Sequence, residues 1–108
     1  MGQFVAGDVV VVAFPFSDLS AHKVRPALVL AAAEFDNLIL CQITSKPQAS
    51  KRAVRIDQRS FESGRLPVVS YVRPDKIFTA DPVIIQRTAG KLDEQAFAQV
   101  MQLVRSLF

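Results

Sequence analysis

The sequence predicts a mainly β fold, a small and strongly bent antiparallel barrel closed by a C-terminal amphipathic helix. Two observations carry this. Short β-branched or apolar runs follow one another at close spacing, each bounded by Pro, Asp, Asn or Gly, the pattern of a sheet that repeatedly turns back on itself. From Asp93 the apolar period changes to steps of three and four, the period of a helix lying on a core. With 108 residues and 50% hydrophobic content, the chain suffices for one core and not two, so residues 1–108 are read as a single domain.

The elements follow in order. "DVVVVAF" (Asp8 to Phe14), "PALVLAAA" (Pro26 to Ala33) and "NLILCQIT" (Asn37 to Thr44) read as buried strands. A polar loop, "PFSDLSAHK", joins the first two, and "EFDN" (Glu34 to Asn37) suits a hairpin turn between the second and third. "KRAVRID" (Lys51 to Asp57) sets Val54 and Ile56 against Arg55 and Asp57, the alternation of a strand with one wet face. "FESGRLP" is expected to turn the chain, and "VVSYV" (Val68 to Val72) to form a fifth strand. Asp81 followed by Pro82 reads as a cap and first position of a single helical turn. Phe97, Val100, Met101, Val104 and Leu107 then form the apolar stripe of a helix of about four turns, with acidic residues near its start and Arg105 in its last turn.

Composition excludes several classes. The lone cysteine, Cys41, has no partner for an intramolecular disulfide or a zinc site, and lies in an apolar run as a packed core thiol, which fits a cytoplasmic protein. The N-terminal residues lack the features of an export signal or myristoylation site, and no apolar run approaches the ~20 residues of a membrane span. There is one histidine, no glycine-rich phosphate loop and no Gly-x-Ser-x-Gly elbow, so zinc enzymes, nucleotide-dependent enzymes and serine hydrolases lose their usual support, and neither metal nor cofactor is expected. The net charge is +3, and eight of the 13 basic residues are arginine, which favours recognition of phosphate or carboxylate.

The remaining chemistry is arginine, hydroxyl and carboxylate: Arg25 opens a strand, Thr44 and Ser45 end one, and Arg73 and Asp75 flank Pro74 at the end of another. In a curled sheet these groups converge on one rim. Such a set suits metal-free cleavage of RNA, because the nucleophile is the substrate's own 2′-hydroxyl and the protein supplies proton transfer and charge stabilisation. A carboxylate such as Asp75 accepts the proton, arginine forks hold the phosphorane oxygens, and Thr44 orients the phosphate. Single-stranded RNA fits best, its unstacked bases lying on aromatics such as Phe16 and Tyr71.

"GDVVVVAFPFSDLSAHKVRPALVL" (Gly7 to Leu30), "ILCQITSK" (Ile39 to Lys46) and "FESGRLPVVSYVRPDKIFTAD" (Phe61 to Asp81) together resemble the PemK/MazF toxins of bacterial toxin–antitoxin pairs. The resemblance runs from about Gly7 to the terminal helix and lies chiefly in the order of the pieces. It implies an SH3-like barrel, a homodimer, and sequence-selective, metal-independent endoribonuclease action on single-stranded RNA that leaves 2′,3′-cyclic phosphate and 5′-hydroxyl ends. It also implies a cognate antitoxin. Arg25 and Thr44 match the family's catalytic arginine and strand-end hydroxyl, and Arg73 and Asp75 match the arginine and aspartate that PemK-type members use as acid and base. Phe16, His22, Lys23, Ser45 and Lys46 are the candidate substrate-binding positions around them.

The sequence departs from the family pattern at Pro74, which replaces the more usual residue between Arg73 and Asp75, and at His22, which stands closer to Arg25 than the loop histidine of some relatives. The Glu-Gln pair of many relatives is absent from the loop. Each candidate also has a plain structural reading. Arg73 and Asp75 could be a local ion pair, Thr44 and Ser45 could cap a turn, and Lys51, Arg52, Arg55 and Arg59 could be a wet strand face rather than an RNA track. The alternative for the whole chain is a non-catalytic barrel, a gyrase inhibitor of the CcdB type or an inactive nucleic-acid-binding relative.

Overall fold

The computed structural model describes residues 4–14, 23–47 and 51–108. Among the described residues seven antiparallel strands form a curled half-barrel with one C-terminal helix: β1 (Asp8–Phe14), β2 (Lys23–Ala32), β3 (Leu38–Thr44), β4 (Val54–Ile56), β5 (Phe61–Gly64), β6 (Ser70–Ala80), β7 (Ile85–Leu92) and α1 (Glu94–Ser106). The strand order is β4-β6-β3-β2-β1-β7-β5. The central strands β1 to β3 are apolar without alternation because both faces of the sheet there are covered. On one face Val9, Leu28, Cys41, Ile43 and Val72 pack with Val100 and Val104 of α1. On the other, Val10, Val12, Ala27, Val29 and Leu40 pack beneath Phe4, Phe78, Ile84 and Ile85. Cys41 is fully buried, as its apolar setting predicts.

The helix begins where the sequence places it. Asp93 caps it, its Oδ1 accepting from the Ala96 N–H at 2.8 Å, and Val100 and Val104 of the predicted stripe are its buried residues. Among the described residues no helix is long and apolar enough to cross a membrane. Asp81 likewise caps a 3₁₀ turn at Pro82–Ile84, accepting from the Val83 N–H at 2.9 Å.

Several boundaries differ from the sequence expectations. β2 starts at Lys23, ahead of Pro26, which pairs with Val11 of β1 and precedes Ala27, the first β2 residue paired with β3. The expected strand Lys51 to Asp57 shrinks to Val54–Ile56; Asp57 caps a turn at Gln58–Ser60 instead of extending it. Phe61–Gly64, expected as part of a turn, is the edge strand β5, and β7 was not anticipated because its "QRTAGKL" has no alternation.

The largest correction concerns Arg73 and Asp75. They do not terminate a strand; they lie inside the 11-residue β6. Against β3, Cys41 pairs with Ile77 and Ile43 with Val72, so four residues, Arg73 to Lys76, stand opposite Gln42 alone. The segment is an enlarged bulge, and a proline without a donor N–H is tolerated at such a place. Pro74 is buried, while Asp75 is exposed.

Candidate active site

The register of the sheet sets the candidate groups in relation to one another. Arg25 on β2 pairs with Val12 on β1. Ala27 pairs with Gln42 and Leu28 with Cys41 across β2 and β3; carried two residues further, that register sets Arg25 beside Thr44. Thr44 in turn pairs with Tyr71, and Tyr71 with Arg55. Residues directly opposite in an antiparallel sheet project to the same face, so Arg25, Thr44 and Tyr71 form one row. Arg73 follows two residues along β6 on Tyr71's side of the strand, just where the bulge begins.

A cavity of about 420 Å³ opens at this end of the sheet. Its lining includes Arg25, Thr44, Ser45 and Ser70 together with Val11, Pro26 and Ile43, which by the strand register lie on the sheet face opposite the row of Arg25, Thr44 and Tyr71. Arg73 and Asp75 do not line it. The structure therefore brings Arg25, Thr44 and Ser45 to one cavity and leaves Arg73 with Asp75 as a second group on the adjoining strand.

That second group is a closed fork. Arg73 donates from Nη2 to Asp75 Oδ2 at 2.7 Å and from Nε to Oδ1 at 3.3 Å. The Arg73 side chain is 18% exposed and that of Asp75 33%. The fork holds the Asp75 carboxyl below the ordinary carboxylate range, its hydrogen bonds outweighing the opposing effect of partial burial. Asp75's charge also reaches the Cys41 thiol, which burial above all pushes up to about 12, so Cys41 is inert as a nucleophile.

The plain structural roles are present too. Thr44 Oγ1 accepts from the Lys46 N–H at 3.2 Å and so caps the turn that leaves β3, with its own hydroxyl proton still available. Lys46 is exposed and takes part in this contact through its backbone. Lys23 opens β2 opposite Phe14. Phe16 and His22 lie outside the described residues. Of the basic run, Arg55 pairs with Asp57 at 2.9 Å. Among the described residues no three His, Cys, Asp or Glu side chains gather as a metal site would require.

The sequence reading missed two residues at the cavity. Ser70 enters its wall from the start of β6, and Arg87 from β7, opposite Val11. Nothing local to "QRT" announces Arg87; its place depends on a pairing between β1 and β7 across most of the chain.

Residues 6–108 match the family model of the PemK-like, MazF-like toxin of type II toxin–antitoxin systems. The chain belongs to this family. Solved structures share its fold. That of MazF from Deinococcus radiodurans (Form-I) aligns with a TM-score of 0.73 at 22% identity, covering 96% of this chain and 94% of that one. The MazE-MazF structure of the same organism (Form-III) aligns with a TM-score of 0.76 at 21% identity and the same coverage, 96% and 94%. An endoribonuclease in complex with its cognate antitoxin, from a mycobacterial species, reaches 0.74 at 13% identity, covering 98% and 93%. At such identities the likeness is one of fold. No curated protein matches the sequence.

Proposed function

We propose that this chain is the toxin of a toxin–antitoxin pair and acts as a sequence-selective, metal-independent endoribonuclease on single-stranded RNA. The observation that carries the reading is the row in which Arg25 adjoins Thr44, with the Arg73–Asp75 fork on the next strand. The substrate provides the nucleophile. Asp75 takes the proton of a ribose 2′-hydroxyl, whose oxygen forms a bond to the adjacent phosphorus as the bond from phosphorus to the 5′-oxygen breaks. Arg73 passes a proton to that departing oxygen, and the short bond to Asp75 returns to the guanidine the proton the carboxylate took. Arg25 stabilises the phosphorane oxygens and Thr44 orients the phosphate. The products are a 2′,3′-cyclic phosphate and a 5′-hydroxyl. Ser45, Lys46 and Lys23 are read as substrate contacts, as are His22 and Phe16, which lie outside the described residues.

The family membership and the antitoxin-bound structures of the same fold support a cognate antitoxin as partner. A homodimer and a cytoplasmic setting complete the reading. The closed fork and the turn cap at Thr44 are what favour the alternative of a non-catalytic binding barrel. One experiment separates the two. The purified chain is incubated in excess EDTA with a long unstructured RNA, beside Arg73→Ala and Asp75→Ala, and the fragment ends are mapped. Discrete cuts with cyclic phosphate ends, reduced on the order of 100-fold or more in both variants, are the expected result. RNA left intact by the wild type, over several sequences and with antitoxin removed, refutes the enzyme.

A further inference from the structure

The strand register draws a second row of side chains on the sheet face that α1 packs against, opposite the row of Arg25, Thr44 and Tyr71. Val11 of β1 pairs with Arg87 of β7 on one side and with Pro26 of β2 on the other. Carried one residue beyond the Ala27–Gln42 pair, the β2–β3 register sets Pro26 beside Ile43. Paired residues project to one face, so Arg87, Val11, Pro26 and Ile43 run in a row across four neighbouring strands. At one strand spacing per step the row is roughly 14 Å long, a guanidinium at one end followed by three apolar side chains.

The row is roofed. Leu66, Pro67 and Val68, between β5 and β6, line the cavity of about 420 Å³ together with these four residues. Hydrogen bonds hold the roof at both ends: the Arg65 N–H donates to the Ala89 oxygen at 3.2 Å, and the buried Ser70 donates from Oγ to the Val68 oxygen at 2.9 Å. A second cavity, of about 440 Å³, shares Leu66, Pro67 and Arg87 with the first and adds Arg65 and Gln58. No carboxylate lines either cavity, and among the described residues neither Arg65 nor Arg87 forms an ion pair. An apolar slot therefore ends at two guanidiniums. Val24 and Val68 line the first cavity and are 46% and 57% exposed, so apolar surface is left open to solvent at its mouth.

We propose that this slot binds a small amphipathic carboxylate, its apolar body on Val11, Pro26 and Ile43 beneath Leu66 and Pro67, and its carboxylate on Arg87 and Arg65. Sites for small molecules are cavities of this size, mostly apolar with a few convergent polar groups. A guanidinium meets a carboxylate with two parallel hydrogen bonds, so the charged end selects the sign of the ligand and the apolar floor selects its body. A nucleic-acid strand would need cations recurring along the slot, whereas here they gather at one end. The slot also backs on to the candidate catalytic row without belonging to it, since Arg25 alternates with Val24 and Pro26, and Thr44 with Ile43 and Ser45, along the same strands.

The test reads binding, and it stands whether or not the chain cleaves RNA. Octanoate is titrated against the purified protein by calorimetry and by amide NMR, beside octyltrimethylammonium as a cation with the same alkyl chain. Octanoate should shift the amides of Val24, Leu66 and Val68, and the cation should not. Arg87→Gln should weaken octanoate about tenfold, the loss of one charge-assisted contact. Val68→Glu, at an exposed position that leaves the fold intact, should abolish binding by setting a carboxylate at the mouth, while Arg105→Gln on α1 should bind as the wild type does. Equal binding of the cation, or an octanoate affinity unmoved by Arg87→Gln, overturns the proposal. So does a wild-type dimer that Val68→Glu dissociates and octanoate does not enter, which assigns the slot to a second copy of the chain. A polyglutamate peptide that binds with the same dependence on Arg87 where octanoate fails assigns it to an acidic protein segment and overturns the proposal likewise.

Discussion

Gly64→Ala tests the close approach of β5 to β7, where Gly64 pairs with Gly90, most directly. Gly64 has φ of +67°, a conformation that costs a residue with a Cβ about 1–2 kcal/mol. The added methyl would also meet backbone on both sides, 2.2 Å from the Ala89 oxygen and 2.5 Å from Gly90 Cα, where no flexible side chain exists to yield. β5 must therefore move off β7, and the Arg65 to Ala89 hydrogen bond is lost, a further ~1 kcal/mol. Together these give a destabilisation of about 2–3 kcal/mol, or a fall in Tm on the order of 10 °C for a domain this size. Urea unfolding and a thermal scan measure both. Gly90→Ala is the matched comparison: its Cβ would lie 2.5 Å from the Ser63 oxygen, but its φ is ordinary, so it should cost less by the 1–2 kcal/mol of backbone strain. A Gly64→Ala protein within about 0.5 kcal/mol of the wild type refutes the claim that this glycine pair is what lets β5 lie against β7 and Arg65 bond to Ala89.

Two further outcomes are expected. Because the Arg73 fork favours the ionised carboxylate, the Asp75 carboxyl should titrate below the ordinary carboxylate range by NMR, and within it in Arg73→Gln; the stability the fork contributes is accordingly present above the unfolded carboxyl pKa and lost as pH falls through the folded one. An unchanged midpoint in Arg73→Gln contradicts the assignment. Asp93→Ala removes the acceptor for the Ala96 N–H and should destabilise the chain by about 1 kcal/mol in urea unfolding, with Asp93→Asn closer to the wild type.

What was legible in the sequence was whatever is decided locally. The apolar runs of β1 to β3, the Asp93 cap with its helical stripe and the Asp81–Pro82 turn all follow from residue type and spacing within a few positions. β5 and β7 escaped because a short edge strand and a polar, glycine-containing strand carry no alternation; their pairing is held by Gly64 against Gly90, a contact between distant segments. The site divides along the same line. Arg25 and Thr44 were recognisable from their places at strand ends and in the family pattern, but Arg87 reaches the cavity only through a β1–β7 register that no local motif encodes. Arg73 and Asp75 were found as residues and misplaced as structure, since an Arg-Pro-Asp reads as a break until the facing strand reveals four residues set against one.

That bulge bears on how an ion pair already closed on itself would serve the proposed reaction. In a regular strand, residues i and i+2 share a face but stand nearly 7 Å apart at the backbone, so a fork between them needs the chain to bend. Pro74, buried within the bulge, stiffens that bend, and Arg73 reaches Asp75 with both nitrogens. The pair is nevertheless partly open to solvent, and exposed pairs contribute only about 0–1 kcal/mol. A phosphate offers the guanidinium an equally good charge-assisted acceptor with the same fork geometry. On the proposed ribonuclease reading the guanidinium would share its fork, one nitrogen on the phosphate and one still on Asp75, so the bond that returns the proton to Arg73 is kept while the carboxylate loses part of what holds it weakly basic.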